Sequence, residues 1–477
     1  MRKTNPKHIN WTPGDHSVLM DVDSYKGSHF LQYAPKTEYI SSYIEARGGK
    51  FDNHVFFGLQ MYLKRYLARP ITAEEIDYAE EMWTTHGVPF NRAGWEHILK
   101  EHGGYLPLKI QAVKEGTVLP VKNAIVQIIN TDPAVPWLTS FMETALLRAV
   151  WYPTTVATLS WTVKQIIRRY LEKTCENPEA ELPFKLHDFG ARGVSSAESA
   201  ALGGIAHMVN FLGSDTVGAL QHARTYYNEP MAAFSIPAAE HSTITSWGRE
   251  NEIHAFENML TQFGGPDKLV AVVSDSYDIY KATEQFWGKD LKDKVEAMGG
   301  TLVVRPDSGD PTIVPIEIVE LLGEAFGYEV NAKGYKVLPS CVRVIQGDGV
   351  NPVSIETILE RMDAKGWSAE NIAFGMGGAL LQRDVHRDTM KWAMKANATK
   401  RADDPVWYDV FKDPITDKGK ISKKGVQALI KMQDGFETVR QDALPAGAED
   451  LLETVWENGT LQRDQTLAEV RALSDVW

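Results

Sequence analysis

The segment Arg305-Pro306-Asp307-Ser308-Gly309-Asp310-Pro311 places one guanidinium and two carboxylates on a single turn. A group of this kind suits a pyrophosphate, with the arginine on its oxygens and a carboxylate free for magnesium or ribose hydroxyls. The same residues also make an ordinary turn, so the reading depends on what accompanies them. His187-Asp188-Phe189-Gly190-Ala191-Arg192-Gly193 leads into Ser195-Ser196-Ala197-Glu198, whose spacing predicts a capping box and a helix start. The free amides and dipole of such a start, with Arg192 beside them, favour an anion. Gln346-Gly347-Asp348-Gly349 and Gly375-Met376-Gly377-Gly378 offer glycines that let backbone amides come close to a phosphate. His241, in Ala238-Ala239-Glu240-His241-Ser242, can act as a base or accept a phosphoryl group. Ser274-Asp275-Ser276-Tyr277-Asp278 supplies carboxylates able to fix its tautomer. No GxGxxG followed by an acidic residue accompanies these clusters, which argues against a dinucleotide-binding oxidoreductase.

The elements that must hold these groups are legible as short apolar runs. They end at Asp188, Gly213, Ser235, Asp275, Arg305, Gln346 and Gly375, each followed by a polar or glycine cluster and then a helical pattern. Recurrence at this spacing predicts repeated strand–helix units, hence α/β architecture with a parallel barrel or sheet. In such folds the loops after the strands converge, and that is where the polar clusters fall. The first third reads differently. Thr72-Ala73-Glu74-Glu75 with Gly87 predicts a helix over 73–86, and alternating runs near 106–112 and 124–129 predict strands of a mostly antiparallel sheet. After about residue 385 the pattern turns irregular and basic, closing on Leu451-Leu452 and a last helical stretch expected to return to the first domain. The domains expected are therefore 1–150, mixed α+β and completed by 386–477, and a barrel over 151–385.

The 477 residues are 43% hydrophobic and 24% charged, enough for two substantial cores. A net charge of -13 disfavours a broad nucleic-acid or acidic-membrane surface, so any phosphate site must be a local pocket. Cys175 and Cys341 stand alone and in no metal-binding spacing. With no secretory pattern at the start and no apolar run long enough for a membrane span, a cytoplasmic protein is expected.

HDFGARGVSS at 187–196, SIPAAEHSTITSWG at 235–248, VSDSYDIY at 273–280, RPDSGDP at 305–311 and VIQGDGV at 344–350 occur here in order. Together with Asp23-Ser24-Tyr25-Lys26, Phe411-Lys412-Asp413-Pro414 and Ser422-Lys423-Lys424-Gly425, they resemble the nicotinamide phosphoribosyltransferases across nearly the whole chain. The resemblance implies an irregular type II phosphoribosyltransferase barrel plus a mixed domain, assembled as a homodimer with active sites shared between subunits. It also implies transfer of phosphoribose from phosphoribosyl pyrophosphate to nicotinamide in NAD biosynthesis, with Mg2+ held mainly through the pyrophosphate and ATP as a coupled co-substrate. On this resemblance Phe189 and the partner's Tyr25 sandwich the nicotinamide ring, and Asp215 accepts its carboxamide N–H. Arg305 and Asp307 meet ribose and pyrophosphate, Arg192 binds pyrophosphate, and His241 is phosphorylated. Gly347, Asp348, Gly377 and Gly378 serve the ribose and its 5′-phosphate. Arg387, Lys395, Arg47, Lys412 and Lys423 reach phosphates, several across the dimer. Asp278 is expected among the catalytic groups, Ser274 and Asp23 among those binding substrate. Ala191 stands where many relatives carry an aromatic residue, which implies a more open rim beside Phe189. Two rivals share the fold: nicotinate phosphoribosyltransferase, which a carboxylate at Asp215 disfavours by charge repulsion, and a non-catalytic binding or signalling protein. Retention of His241, Asp215, Arg192, Arg305 and Asp307 disfavours the second.

Overall fold

The computed structural model describes residues 11–433 and 435–475. Most of the start of the chain in which no secretory pattern was found, its first ten residues, lies outside them. Two compact units emerge. One holds the chain up to Thr158, Tyr226–Asn228 and the chain from His386; the other holds Leu159–Thr225 and Glu229–Val385.

In the first unit, seven strands form one antiparallel sheet. Their order is Asp404–Asp409, Trp392–Arg401, Thr37–Ala46, Ala124–Asn130, Leu108–Ala112, Glu453–Glu457 and Thr460–Leu461. Leu108, Ile110 and Ala112 are buried while Lys109 and Gln111 are half-exposed, the alternation expected of a sheet with one covered face. The helix Ala73–His86 begins at a capping box in which Thr72 and Glu75 each satisfy the other's amide, and it stops at Gly87 in the left-handed region. The cap is worth about 1 kcal/mol. One expectation fails here: where the pattern beyond residue 385 reads as irregular, the chain forms six antiparallel strands. In Trp392–Arg401 the buried Trp392 and Met394 alternate with half-exposed Ala393 and Lys395, but small alanines and the buried Asn397 mask the period.

His54 lies in the strand Asn53–Val55, its ring edge-on to Trp392 with centroids 5.4 Å apart and both ring nitrogens buried without a hydrogen-bond partner. Burial lowers its pKa from 6.5 to about 3. Between those values the unfolded chain binds a proton that the folded chain refuses, so stability rises with pH through the window and is lost as pH falls below 6.5. At pH 5 the loss amounts to about 2 kcal/mol. In His54→Leu, the fall in unfolding free energy between pH 7 and pH 5, measured by urea denaturation, is therefore expected to shrink by about 2 kcal/mol. An unchanged fall would show that His54 titrates freely in the folded state.

The second unit is built on a six-stranded parallel sheet in the order Gly213–Ser214, Leu186–Asp188, Ile372–Met376, Val342–Gln346, Thr301–Arg305 and Leu269–Val273. Its two edge strands are joined through the segment 234–238. Phe234 pairs with Gly213 and Ala238 with Ala271, both in parallel, and this closes the sheet into an irregular barrel. Val270, Val272, Leu302, Val304, Val344, Ile372 and Phe374 are buried. Ala271, Val303 and Ile345 form a separate inner cluster with Phe189, Ile236 and Ala373 packed against it. Strands buried on both faces explain why the sequence shows continuous apolar runs here instead of alternation. The helix Ala197–Met208 begins one residue later than its sequence spacing predicts. Ser196 is the cap, accepting from the amide of Ser199, so the box expected between Ser195 and Glu198 does not form.

Candidate active site

Small residues leave the barrel interior open. A cavity of about 940 Å³ runs from the C-terminal strand ends, at Phe189, Arg192, Asp215, Arg305, Asp307, Gly347, Asp348, Gly377 and Gly378, down to Leu269, Thr301 and Arg343 near the strand starts. That volume suits a small-molecule site. The downward continuation has no signal in the sequence beyond Ala271, Ala373 and Gly375, whose small side chains do not fill the interior.

Phe189 owes its position to Gly375. A Cβ at Gly375 would lie 1.9 Å from Phe189 Cε2, and the Phe189 amide donates to Met376 O at 3.0 Å, so the ring lies flat against this strand end. Below it the loop is tied by buried Asp188, whose Oδ1 accepts from the Gly190 amide at 2.7 Å and whose Oδ2 accepts from the Thr216 hydroxyl at 2.6 Å. Burial pushes the Asp188 carboxyl up, against these hydrogen bonds. Asp215 is held by its own amide on Asp188 O, 3.0 Å, and by the Ser235 hydroxyl donating to Oδ1. Oδ2 has no hydrogen-bond partner among the described residues. Neighbouring His187, which also lines the cavity, is lowered to about 4 by burial, with the charge of Asp215 opposing the shift. His187 is thus neutral at pH 7 and supplies no positive charge beside Asp215. Arg192, exposed on the turn Ala191–Gly193, stands on the cavity wall just before the N-terminus of Ala197–Met208. Ala191 also lines the cavity and is exposed.

On the opposite wall Arg305 Nη2 donates to Asp307 Oδ2 at 3.1 Å. Half-burial pushes the Asp307 carboxyl up; Arg305 opposes that shift, while Asp275 and Asp348 reinforce it. His241 meets this group from the start of the short helix His241–Thr245. Its Nε2 lies 2.9 Å from Asp275 Oδ1, and its Nδ1 lies 3.9 Å from Asp307 Oδ2. The other oxygen of Asp275 accepts from the Asp307 amide at 3.2 Å and from the Ser308 hydroxyl. One carboxylate therefore fixes both the histidine and the RPDSGDP turn. Asp278, expected among the catalytic groups, caps the helix Ile279–Lys281, accepting from the amides of Tyr280 and Lys281. Ser274 is not in the cavity lining. Fully buried, its hydroxyl donates to Val272 O and accepts from Trp287 Nε1.

The remaining expected residues lie in the first unit. Arg47 and Lys423 both pair with buried Glu45, at 3.0 Å for the arginine, and the Lys423 amide donates to the Tyr43 hydroxyl at 2.8 Å. The Lys412 amide donates to Ser422 Oγ at 3.0 Å, which brings Lys412 beside Lys423 in the chain path. Lys395 pairs with Glu143 at 3.3 Å, as does Lys26. Asp23 Oδ2 accepts from the Thr144 hydroxyl at 2.6 Å, and Arg387 pairs only with adjacent Asp388, at 2.7 Å. Tyr25 is 58% exposed, edge-on to His29 and with Lys26 Nζ over its ring at 5.3 Å.

Solved structures with this architecture define the class. The chain superposes on nicotinate-nucleotide pyrophosphorylase from Pyrococcus furiosus with TM-score 0.60 at 16% identity, covering 98% of this chain and 97% of that one. It superposes on human nicotinic acid phosphoribosyltransferase with TM-score 0.57 at 17% identity, covering 95% and 92%. The fold is that of the type II phosphoribosyltransferases. Residues 184–459 match the model of the nicotinate phosphoribosyltransferase (NAPRTase) family, and residues 17–110 match that of the nicotinamide phosphoribosyltransferase N-terminal domain. The chain belongs to the nicotinate phosphoribosyltransferase family. It is 55% identical over 465 residues to the nicotinamide phosphoribosyltransferase of Xanthomonas campestris, covering 96% of this chain and 98% of that protein. It is 33% identical over 493 residues to the enzyme of that name from Acinetobacter baylyi, covering 95% and 96%.

Proposed function

We propose that the chain transfers the 5-phosphoribosyl group of phosphoribosyl pyrophosphate to nicotinamide, giving nicotinamide mononucleotide and pyrophosphate for NAD biosynthesis. The observation that carries the choice of base is Asp215, a carboxylate on the wall of the cavity that Phe189 also lines. In a site of reduced dielectric it attracts a carboxamide N–H and repels the carboxylate of nicotinate. The near full-length identity to proteins carrying the nicotinamide name supports the same reading.

Displacement of pyrophosphate by a pyridine nitrogen builds positive charge on the ribose and negative charge on the leaving group. Catalysis therefore rests on orientation and on neutralising the leaving group more than on a strong base. Phe189 and the inner cluster Ala271, Val303 and Ile345 orient the ring at low entropic cost. Arg305 and Arg192 receive pyrophosphate oxygens, Asp307 faces the ribose, and the amides after Gly347 and Gly377 serve the 5′-phosphate. Magnesium fits this wall, where Asp275 and Asp348 bring two further carboxylates near that of Asp307. Bound through the pyrophosphate and near Asp307, it would neutralise the leaving group.

His241 is read as the point of ATP coupling. With Nε2–H given to Asp275, the lone pair sits on Nδ1. That atom attacks the γ-phosphorus, the bond to the bridging oxygen breaks, and ADP leaves. A homodimer is proposed in which a second copy supplies Tyr25 as the other face of the ring slot and Arg387 as a phosphate contact. No helix among the described residues is long and apolar enough to cross a membrane, and a cytoplasmic setting is proposed. The test is product mass after incubation with phosphoribosyl pyrophosphate and either base. Nicotinamide mononucleotide is expected to dominate. Equal yields of the nicotinate product would overturn the choice of base, and absence of both products would overturn the transfer itself.

A further inference from the structure

Away from the barrel, in the first unit, two imidazoles converge on one carboxylate oxygen. His97 Nε2 lies 2.7 Å and His102 Nε2 2.6 Å from Asp132 Oδ2. The three donor atoms all lie within 4.8 Å of one another, and no other group of three histidine, cysteine or acidic donors among the described residues comes so close. The fold sets each donor independently of the others. His97 is in the last turns of the helix Arg92–Glu101, and His102 caps that helix with its amide on Ile98 O. The non-helical cap conformation, φ -116° and ψ 10°, turns His102 back toward His97. Asp132 follows the strand Ala124–Asn130, and its Oδ1 is committed to the Ala134 amide at 2.8 Å. The carboxylate therefore presents only Oδ2 to the rings.

A carboxylate satisfied by a single histidine would explain a structural contact, but two rings using the same nitrogen on the same oxygen make a donor set. Two imidazoles and one carboxylate suit borderline divalent ions of the first transition row, whereas magnesium and calcium prefer all-oxygen shells. Donors about 2.0–2.2 Å from a tetrahedral ion are separated by roughly 3.3 Å. The rings need only withdraw from Oδ2 by roughly 0.6 Å to admit the ion in place of their protons. Side-chain exposures of 34%, 27% and 15% leave room for that movement and for water as further ligands. The site also lies at the C-terminal end of a ten-residue helix, where the carbonyl dipoles favour a cation.

We propose that His97, His102 and Asp132 form a binding site for a zinc-, nickel- or cobalt-class divalent cation, which clips the end of the helix Arg92–Glu101 to the turn after the strand Ala124–Asn130. Binding at neutral pH takes the ion onto both Nε2 atoms and Oδ2, with the imidazole N–H protons moving to, or remaining on, Nδ1.

The full chain, stripped with chelator and freed of it, would be titrated with Zn2+ by calorimetry and with Co2+ by visible absorption. One equivalent per chain is expected, with the ligand-field bands of a nitrogen and oxygen site. His97→Gln/His102→Gln is expected to weaken that equivalent by roughly a hundredfold or more. The isosteric Asp132→Asn, which keeps an oxygen for the Ala134 amide, should weaken it in the same direction. The thermal midpoint should rise with Zn2+ in the wild type only. Phosphoribosyl transfer by the variants, measured with Mg2+ and without Zn2+ and unchanged, reports that they are folded, and His102→Gln alone serves if the double variant is not. No stoichiometric binding by the wild type, or binding of equal strength in the variants, would overturn the site.

Discussion

Replacing His241 with alanine is expected to bring the stimulation of nucleotide synthesis by ATP down to about one-fold while leaving synthesis without ATP measurable. The reason is the division of labour on the cavity wall. Arg305, Arg192 and the ring slot are the groups proposed to act on phosphoribosyl pyrophosphate and the base, whereas His241 is not among the residues lining the cavity and is held by Asp275. Acid-labile label from the γ-phosphate of ATP should appear on the wild type only. Equal labelling of the variant would remove His241 from the coupling step.

A sharper form of this result comes from Asp275→Asn. Oδ2 of Asp275 accepts two donors, the Asp307 amide and the Ser308 hydroxyl, so the asparagine oxygen must take that place and its NH2 must face His241. The imidazole then has to accept at Nε2 and carry its proton on Nδ1, where the lone pair for phosphoryl transfer should be. Loss of labelling by roughly a hundredfold or more, from a change that alters no volume, is expected on the same tautomer logic as the aspartate of a serine protease triad. Labelling at the wild-type rate would place the phosphoryl group on the other nitrogen or on another residue.

How much of this was legible in the sequence depends on the range of the interactions. The strand ends of the barrel were readable because strands buried on both faces give unbroken apolar runs closed by polar clusters, as at Val272-Val273-Ser274 and Val303-Val304-Arg305. The helix Ala73–His86 was readable from its cap alone. The helix Glu143–Thr174 was not. Pro153 and the β-branched run Thr154-Thr155-Val156 weaken its propensity, and it depends on tertiary space, since a Cβ on Gly58 would come within 2.3 Å of Pro153. Asp275 and Asp278 present the same residue type three positions apart. Only the turn that follows decides which one caps a helix and which one faces His241. Glu45, the buried anchor of Arg47 and Lys423, was missed because its partners lie at sequence separations of two and 378. The Asp132 cluster was missed because His97 and His102, although spaced as H-x4-H, have no second ligand pair near them in the chain and meet the carboxylate only through the fold.

Asp215→Asn is expected to change the choice of base. The substitution keeps the side chain's size and its hydrogen bond from Ser235 but removes the negative charge. Neutral His187 supplies no counter-charge, so in the wild type a nicotinate carboxylate facing Asp215 is repelled, and in the variant that repulsion disappears. Nicotinamide loses a charge-assisted hydrogen bond in the same step, at a cost of about 1–3 kcal/mol, equivalent to a fall in kcat/KM of roughly ten- to a hundredfold. The two effects act in opposite directions on the two bases, so the ratio of their kcat/KM values moves further than either value alone. A general folding defect lowers both values alike and leaves the ratio fixed, which makes the ratio the quantity to measure, by product mass with each base in turn. If it does not move, Asp215 does not face the ring substituent, and selectivity for the amide must come from another residue of the cavity wall.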